Sequence, residues 1–472
     1  MGHLTPTGRV IARSKLGVMA NSECHVALMP SAGMGHLTPF LRLASKLLSF
    51  GCRVTVITGK PIFTIAEDNH LSSFLSNHSE VEHLEFEVLA PENVPGVDSF
   101  FLQYDAIRRS AHLAFPLLQS SQKPFSAIIC DLIIADSVPR FASEIGIPCF
   151  VFITTSARML SFLAHIPQIA SGTEKIDLTS SYLEVPGMEP FDMMSIPRLF
   201  VTPGHFMSKL VSKQVTGFRD ATGLILNSFD WLEAETLQAF EKIRASIRFP
   251  PAIPLGPLEE YNQEITKTPY MAWLDEQPLQ SVVYLNFGSR TAASRDQIRE
   301  LGLGLEKSKF RFLWVVKTSK IDKEDKDELS SVLGVEFMER TKEQGLILKE
   351  WVNQWNILSH SSIGGFVSHC GWNSVMEAAQ RGVPVLGWPQ HGDQGLNAEV
   401  TKKAGLGMME KTWGFGLEKL VTADEVAAKI TELMTDYEIR SRATKVKEEA
   451  EEATAPGGTS YKTIVAHILT GT

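Results

Sequence analysis

From residue 25 onward, short apolar runs alternate with stretches of helical spacing. His25–Met29 is apolar enough to predict a strand buried on both faces, and Arg53–Thr58, Ala127–Asp131 and Pro148–Ile153 repeat the pattern. Thr38–Phe50, Phe101–Leu118 and Ser137–Ile145 read as helices between them, the first with Thr38 as N-cap and Pro39 at its first position. The rhythm breaks at Phe249-Pro-Pro-Ala-Ile-Pro-Leu-Gly-Pro257. Prolines at this density resist both helix and central strand, so an extended link and a domain boundary are expected there. Beyond it, Ser281–Phe287, Phe310–Val316, Leu346–Lys349, Gly364–Ser368 and Val383–Gly387 read as further strands, and Lys317–Glu328, dense in both charges, as a solvated loop. Strands alternating with helices predict parallel βαβ units covered on both faces. The fold class is therefore α/β: two doubly wound Rossmann-like domains facing across a cleft. Their expected limits are 21–250 and 251–455, with 456–472 a C-terminal helix able to pack back on the first domain.

Length and composition agree with two globular domains. The chain has 472 residues, of which 44% are hydrophobic and 21% charged, so disorder is not the theme. A formal net charge of -9 argues against a nucleic-acid partner, which needs a basic footprint. Cys24, Cys52, Cys130, Cys149 and Cys370 are odd in number and widely spaced, and no C-x-x-C occurs. Neither a disulfide framework nor a zinc site is signalled, and a reducing, cytoplasmic setting fits best. No run reaches the roughly 18 apolar residues of a membrane span. Met1-Gly-His-Leu-Thr-Pro6 repeats Met34–Pro39 with no strand-like segment before it, and residues 7–20 carry Arg9, Arg13 and Lys15 and no acid. That bias is shared with transit peptides, but an extension over residues 1–20 with no part in the fold is the expectation.

Candidate chemistry is densest between Trp351 and Gln394. The apolar run ending at Ser368 is a buried strand, and Asn373 begins a helix through Ala379. His369, Gly371, Trp372, Asn373 and Ser374 thus lie at a strand's carboxyl end beside a helix N-terminus, where free N–H groups and the helix dipole favour a pyrophosphate. Glu377 lies one turn further in, placed to accept hydrogen bonds from ribose hydroxyls. Trp351, followed by Val352, offers a flat face on which a uracil can stack. Singly, each of these residues is ordinary: a Trp is usually core, Asn-Ser an N-cap, a Glu solvated.

A second constellation follows the first strand. In Pro30-Ser-Ala-Gly-Met-Gly-His36 the third glycine of a dinucleotide fingerprint is missing, since Thr38 stands in its place. The glycines permit a tight turn that presents His36 into the crevice at the strand ends. An imidazole suits proton removal from a phenol near neutral pH, and a carboxylate is expected to hold its ring. Asp131, at the end of its strand, is the candidate. A helix-capping histidine is the plainer alternative.

The window from Trp351-Val-Asn-Gln354 through Gly365-Phe-Val-Ser-His-Cys-Gly-Trp-Asn-Ser374 and Glu377 to Asp393-Gln394 strongly resembles the signature of plant family 1 UDP-glycosyltransferases. The resemblance extends at lower density from about residue 25 to the end. It implies a GT-B type fold in which Trp351 and Gln354 hold the uracil and Glu377 the ribose. His369, Asn373 and Ser374, with Ser289, would bind the phosphates, and Asp393 and Gln394 the sugar hydroxyls. The same resemblance makes His36 the base, Asp131 its partner, and UDP-glucose the donor co-substrate, since a final Gln goes with glucose more often than glucuronic acid. No cofactor or metal is implied, and no Asp-x-Asp metal-binding signature stands out.

Ser31–Phe40, Asn286–Ala292 and His391–Gln394 further resemble the branch that makes C-glucosides of 2-hydroxyflavanones and dihydrochalcones. Deprotonating a phenol spreads charge onto the ortho carbon, so carbon or oxygen attack becomes a matter of orientation. O-glucosylation of a phenol is the alternative, and a non-catalytic UDP-sugar binder or a UDP-sugar epimerase the reading from another class; acceptor-dependent UDP release separates them. Phe100, Phe101, Tyr104, Phe191, Met193 and Met194 are the candidate acceptor residues, although such side chains are more often plain core. The partners expected are small molecules alone, a phenolic acceptor and a UDP-sugar, bound by a monomer.

Overall fold

Runs of β-branched and aliphatic residues bounded by Gly, Pro and Asn form two parallel sheets. The structure, a computed structural model, describes residues 24–469 except 62–63, 173–176, 178, 203, 262–266, 289, 292, 318–327 and 417–418. The duplicated hexapeptide, Ser289 and nearly all of the charged loop expected at 317–328 lie outside the described residues.

The first sheet contains β1 (His25–Met29), β2 (Arg53–Lys60), β3 (Glu82–Glu87), β4 (Ala127–Asp131) and β5 (Cys149–Ile153). A small antiparallel pair, β6 (Tyr182–Leu183) and β7 (Phe191–Asp192), stands apart, and β8 (Gly223–Leu226) and β9 (Ala252–Pro254) complete the sheet. Its order is β3-β2-β1-β4-β5-β8-β9. The second sheet comprises β10 (Val282–Asn286), β11 (Arg311–Val315), β12 (Gly345–Leu348), β13 (Ile363–Ser368), β14 (Val385–Gly387) and β15 (Gly407–Met409), in the order β12-β11-β10-β13-β14-β15. Every pairing within these two sheets is parallel. In each, the chain reverses direction at the centre, between β1 and β4 and between β10 and β13. In open α/β sheets that switch point leaves a crevice at the carboxyl ends of the strands, where ligands bind.

Several boundaries depart from the sequence reading for physical reasons. The first helix runs Met34–Ser49, not from Thr38: Gly33, at φ 100°, is its N-cap, and its carbonyl accepts from the amides of both His36 and Leu37. The glycine turn starts the helix one turn early and so brings His36 into its first turn. The proline-rich stretch is extended, as expected, but Ala252–Pro254 adds itself to the first sheet as β9, past the expected limit at 250. An edge position explains this, since a proline lacks only a donor that would face away from the ladder.

Apolar clusters cover both faces of each sheet. The chain's last described turns, around Ile464 and Ile468, pack with Leu43, Leu47 and Ile253 of the first domain. Leu396, from the second domain, enters a cluster of the first. The domains are thus interlocked on either side of a cleft of ≈ 1230 Å³, lined from both.

Candidate active site

At the switch point of the first sheet, His36 and Asp131 meet. Nδ1 of His36 lies 2.8 Å from Oδ2 of Asp131, which is 0% exposed. The other carboxylate oxygen accepts from Ser31 Oγ and the amide of Ile133, both at 2.9 Å. Three donors thus fix the carboxylate as an acceptor, which puts the ring proton on Nδ1 and leaves Nε2 as the basic nitrogen. Thr154 Oγ1 adds a contact to Nδ1 at 3.1 Å. Burial opposes the imidazolium, but the charge and hydrogen bond of Asp131, aided by Asp393 and Glu67, hold the His36 pKa above its ordinary value. The turn before it is tight: a Cβ on Gly33 would stand 2.9 Å from the hydroxyl of Tyr104, whose ring meets His36 edge-on.

Across the cleft, the helix Trp372–Arg381 begins directly after β13, and no side chain caps it. Its first amides remain available to an anion, and the dipole favours one. Cys370 makes the turn with φ 62°, a conformation that costs a non-glycine residue energy and is held here by the bond from its amide to Ser368 Oγ at 3.1 Å. His369 is wedged between two glycines: a Cβ on Gly288 or Gly371 would come within 2.7 or 2.6 Å of its Nε2. Burial, with the charge of His391, pushes the His369 pKa down to about 3, so this ring is neutral. Trp351 is 65% exposed on the cleft wall, an open face suited to stacking, with Val352 buried behind it.

The polar side chains of this wall form a chain. Gln354 Nε2 donates to Ser374 Oγ and to Glu377 Oε2, each at 2.8 Å, while its Oε1 accepts from Asn286 Nδ2 at 3.0 Å. Asp393 accepts from Asn397 Nδ2 at 2.9 Å and from Thr155 Oγ1 of the first domain. Gln394 turns its Oε1 to the amides of Gln390 and His391, at 2.9 and 3.0 Å. Asn373 keeps a buried Oδ1 with no protein partner. Trp372 lines the cleft, and its indole Nε1 donates to the carbonyl of Asn227 at 2.8 Å, joining the two domains.

Phe100, Phe101, Tyr104, Met193 and Met194 all line the cleft, Tyr104 against His36 itself. Phe191 does not. It is fully buried in the first domain, against Phe162 and beneath the guanidinium of Arg158, because β7 turns that side chain into the core. Met159, Leu163, Met207, Leu210 and Val211 add an aliphatic part of the wall, and none of them had a distinguishing signal in the sequence. Ser31 and Thr155 also escaped notice, although Ser31 stands in the glycine-turn motif itself. Among the described residues no cluster of three metal-ligating side chains occurs, and no helix is long and apolar enough to cross a membrane.

A basic imidazole facing an anion-binding helix across a cleft between two doubly wound domains has the layout of a nucleotide-sugar transferase of the GT-B class. Comparison with known proteins agrees. The model of the family described as UDP-glucoronosyl and UDP-glucosyl transferase matches residues 264–441. UDP-glycosyltransferase 708C1 of Fagopyrum esculentum is 44% identical over 93% of this chain and 94% of its own length. UDP-glycosyltransferase CGT of Oryza sativa subsp. indica is 41% identical over 94% and 96%. The crystal structure of LpCGTa in complex with UDP superposes with a TM-score of 0.83 at 40% identity, covering 94% of this chain and 98% of that one. The chain belongs to the plant family 1 UDP-glycosyltransferases, and within them it resembles the C-glucosyltransferase branch.

Proposed function

We propose that this enzyme transfers glucose from UDP-glucose, with inversion, to a ring carbon of a flavonoid-type polyphenol such as a 2-hydroxyflavanone or a dihydrochalcone. The observation that carries the reading is the His36–Asp131 pair, set over a largely apolar chamber and opposite the wall that runs from Trp351 to Gln394. His36 Nε2 takes the proton of an acceptor phenol, and Asp131 stabilises the imidazolium through Nδ1–H without itself taking the proton. The phenolate's charge is shared with the ortho carbon. That carbon forms a bond to the anomeric carbon while the bond to the UDP oxygen breaks and its electron pair leaves with UDP. The ring-carbon proton then passes to water, which restores the aromatic ring as a phenolate, and His36 returns its proton to that oxygen. An α-linked donor yields a β-glycoside.

The donor is held in the order expected from the signature: the base on Trp351, the ribose on Glu377, the diphosphate at the Trp372–Arg381 helix with Asn373 and His369, and the sugar near Asp393 and Gln394. Neutral His369 donates one N–H without adding charge, and the uncapped amides supply the rest of the leaving group's stabilisation. Carbon rather than oxygen attack is favoured by the likeness to the C-glucosyltransferase branch. Incubation with UDP-glucose and phloretin, followed by mass spectrometry of the product before and after hot acid, tests this. An acid-resistant hexose adduct is expected. An adduct that reverts to phloretin would place the sugar on oxygen and overturn the carbon assignment alone.

A further inference from the structure

Glu377 is gripped from both domains. Gln354, beside it in the second domain, donates to Oε2 at 2.8 Å, whereas Oε1 accepts from Nη2 of Arg42 at 2.5 Å. Arg42 belongs to the first domain, on the same helix as His36. Its Nη2 and Nε also reach Oε2 of Glu260, at 2.7 and 3.2 Å, on the segment that joins the two sheets. The Arg42 side chain is 2% exposed, yet it lines the cleft, and its Nη1 is buried with no partner in the protein. Burial works against the guanidinium's charge, but Glu377 and Glu260 outweigh it and keep the group protonated.

One cation thus faces two carboxylates from different parts of the chain. A buried ion pair is a poor device for stability, because desolvation takes back most of what the attraction supplies; fixing register between elements is its better-attested use. A guanidinium can address two carboxylates with a planar fork, which an ammonium cannot. With Arg42 on one oxygen and Gln354 on the other, the plane of the Glu377 carboxylate is set and its remaining lone pairs are left to accept. Such a carboxylate matches a vicinal diol, which has two hydroxyls to donate.

We propose that Arg42 is a positioning residue for the donor: by holding Glu377 from the opposite domain, it makes recognition of the ribose hydroxyls depend on the closed arrangement of the two domains. The inference rests on the reading of Glu377 as the ribose ligand.

The test compares kcat/KM for UDP-glucose with that for its 2′-deoxyribose analogue. The variants are Arg42→Lys and the double variant Arg42→Met with Glu260→Gln, which spares Glu260 an unpaired buried charge. The wild type is expected to favour the ribose donor by about tenfold or more, the scale of about 1.4 kcal/mol from one good hydrogen bond. Both variants should lose most of that preference while the acceptor KM stays as it was. A variant with wild-type thermal stability that keeps the full preference would overturn the proposal, and so would an equal loss of activity with both donors. Glu377→Gln separates the two layers of the argument. If this substitution leaves the wild-type preference intact, the ribose assignment is wrong and the role of Arg42 falls with it; if only the Arg42 variants leave it intact, the ribose assignment stands.

Discussion

In the mechanism we propose, a proton taken by His36 creates a full charge in a buried corner, and Asp131, its hydrogen-bond partner, offsets that charge. The raised pKa of His36 sets the sign of the pH dependence. The neutral ring is the active form, so kcat/KM should fall as pH drops through a value above the ordinary 6.5 of histidine. In Asp131→Asn the imidazolium loses its partner, so the acid limb should move to lower pH while the plateau rate falls by about 10²–10⁴-fold. A pH–rate profile of the two enzymes checks both statements. An unmoved limb would mean that another group titrates there. Ser31 and the amide of Ile133 also donate to the Asp131 carboxylate and so fix its orientation toward the ring.

Among the elements, the helix Trp372–Arg381 contributes through its first turns, whose backbone and side chains both meet the cleft. Val375, Met376, Ala378 and Ala379 pack into the core, Asn373, Ser374 and Glu377 line the cleft, and the N-terminus, which no side chain caps, is where we propose that the diphosphate binds. Asn373 sits at that end with an acceptor that is buried and without a protein partner. Removing that oxygen relieves a desolvation cost that offsets the loss of the long contact from Nδ2 to the Met34 carbonyl at 3.5 Å, whereas the lost Nδ2 donor would have bonded a charged ligand, worth about 1.5–3 kcal/mol. Asn373→Ala should therefore leave the melting temperature nearly unchanged and raise the KM for UDP-glucose about tenfold or more. A matched loss of thermal stability would identify Asn373 as part of the scaffold instead. The early start of the Met34–Ser49 helix has a comparable logic: the Gly33 turn takes up the backbone conformation that lets the first helical turn carry His36.

At the scale of the whole molecule, the two domains are tied by contacts that cross the cleft and by the return of the chain's last described turns to the first domain. Trp372 reaches Asn227, Thr155 reaches Asp393, and Leu396 enters the first domain's core. Ile464 is buried against residues some four hundred positions earlier in the sequence, such as Leu43. Ile464→Ala should cost about 2–5 kcal/mol, the usual penalty for a truncated core isoleucine. Guanidinium unfolding followed by far-UV circular dichroism would show it, and a midpoint equal to that of the wild type would argue that this packing does not support the fold.

The sequence by itself determined what is local. Alternating apolar runs and helical spacings marked most central strands within a residue or two, and the uncapped helix end of the second domain, the diphosphate site we propose, was legible as a strand–turn–helix because its residues lie in one continuous window. His36 was legible for the same reason, since glycine spacing after a strand is a short-range signal. Short, less apolar or edge strands such as β3, β9 and β15 went unseen, because pairing with a neighbour rather than periodicity makes them strands. Only the tertiary structure decided which of two nearby side chains faces the chamber: Met193 lines it and Phe191 does not, a choice made by the turn of β7 against the core. It alone also brought Arg42 to Glu377 and Thr155 to Asp393, partners separated by 335 and 238 positions. No local pattern encodes those contacts, since they depend on how one finished domain is oriented against the other, and that orientation is set by the packing of both.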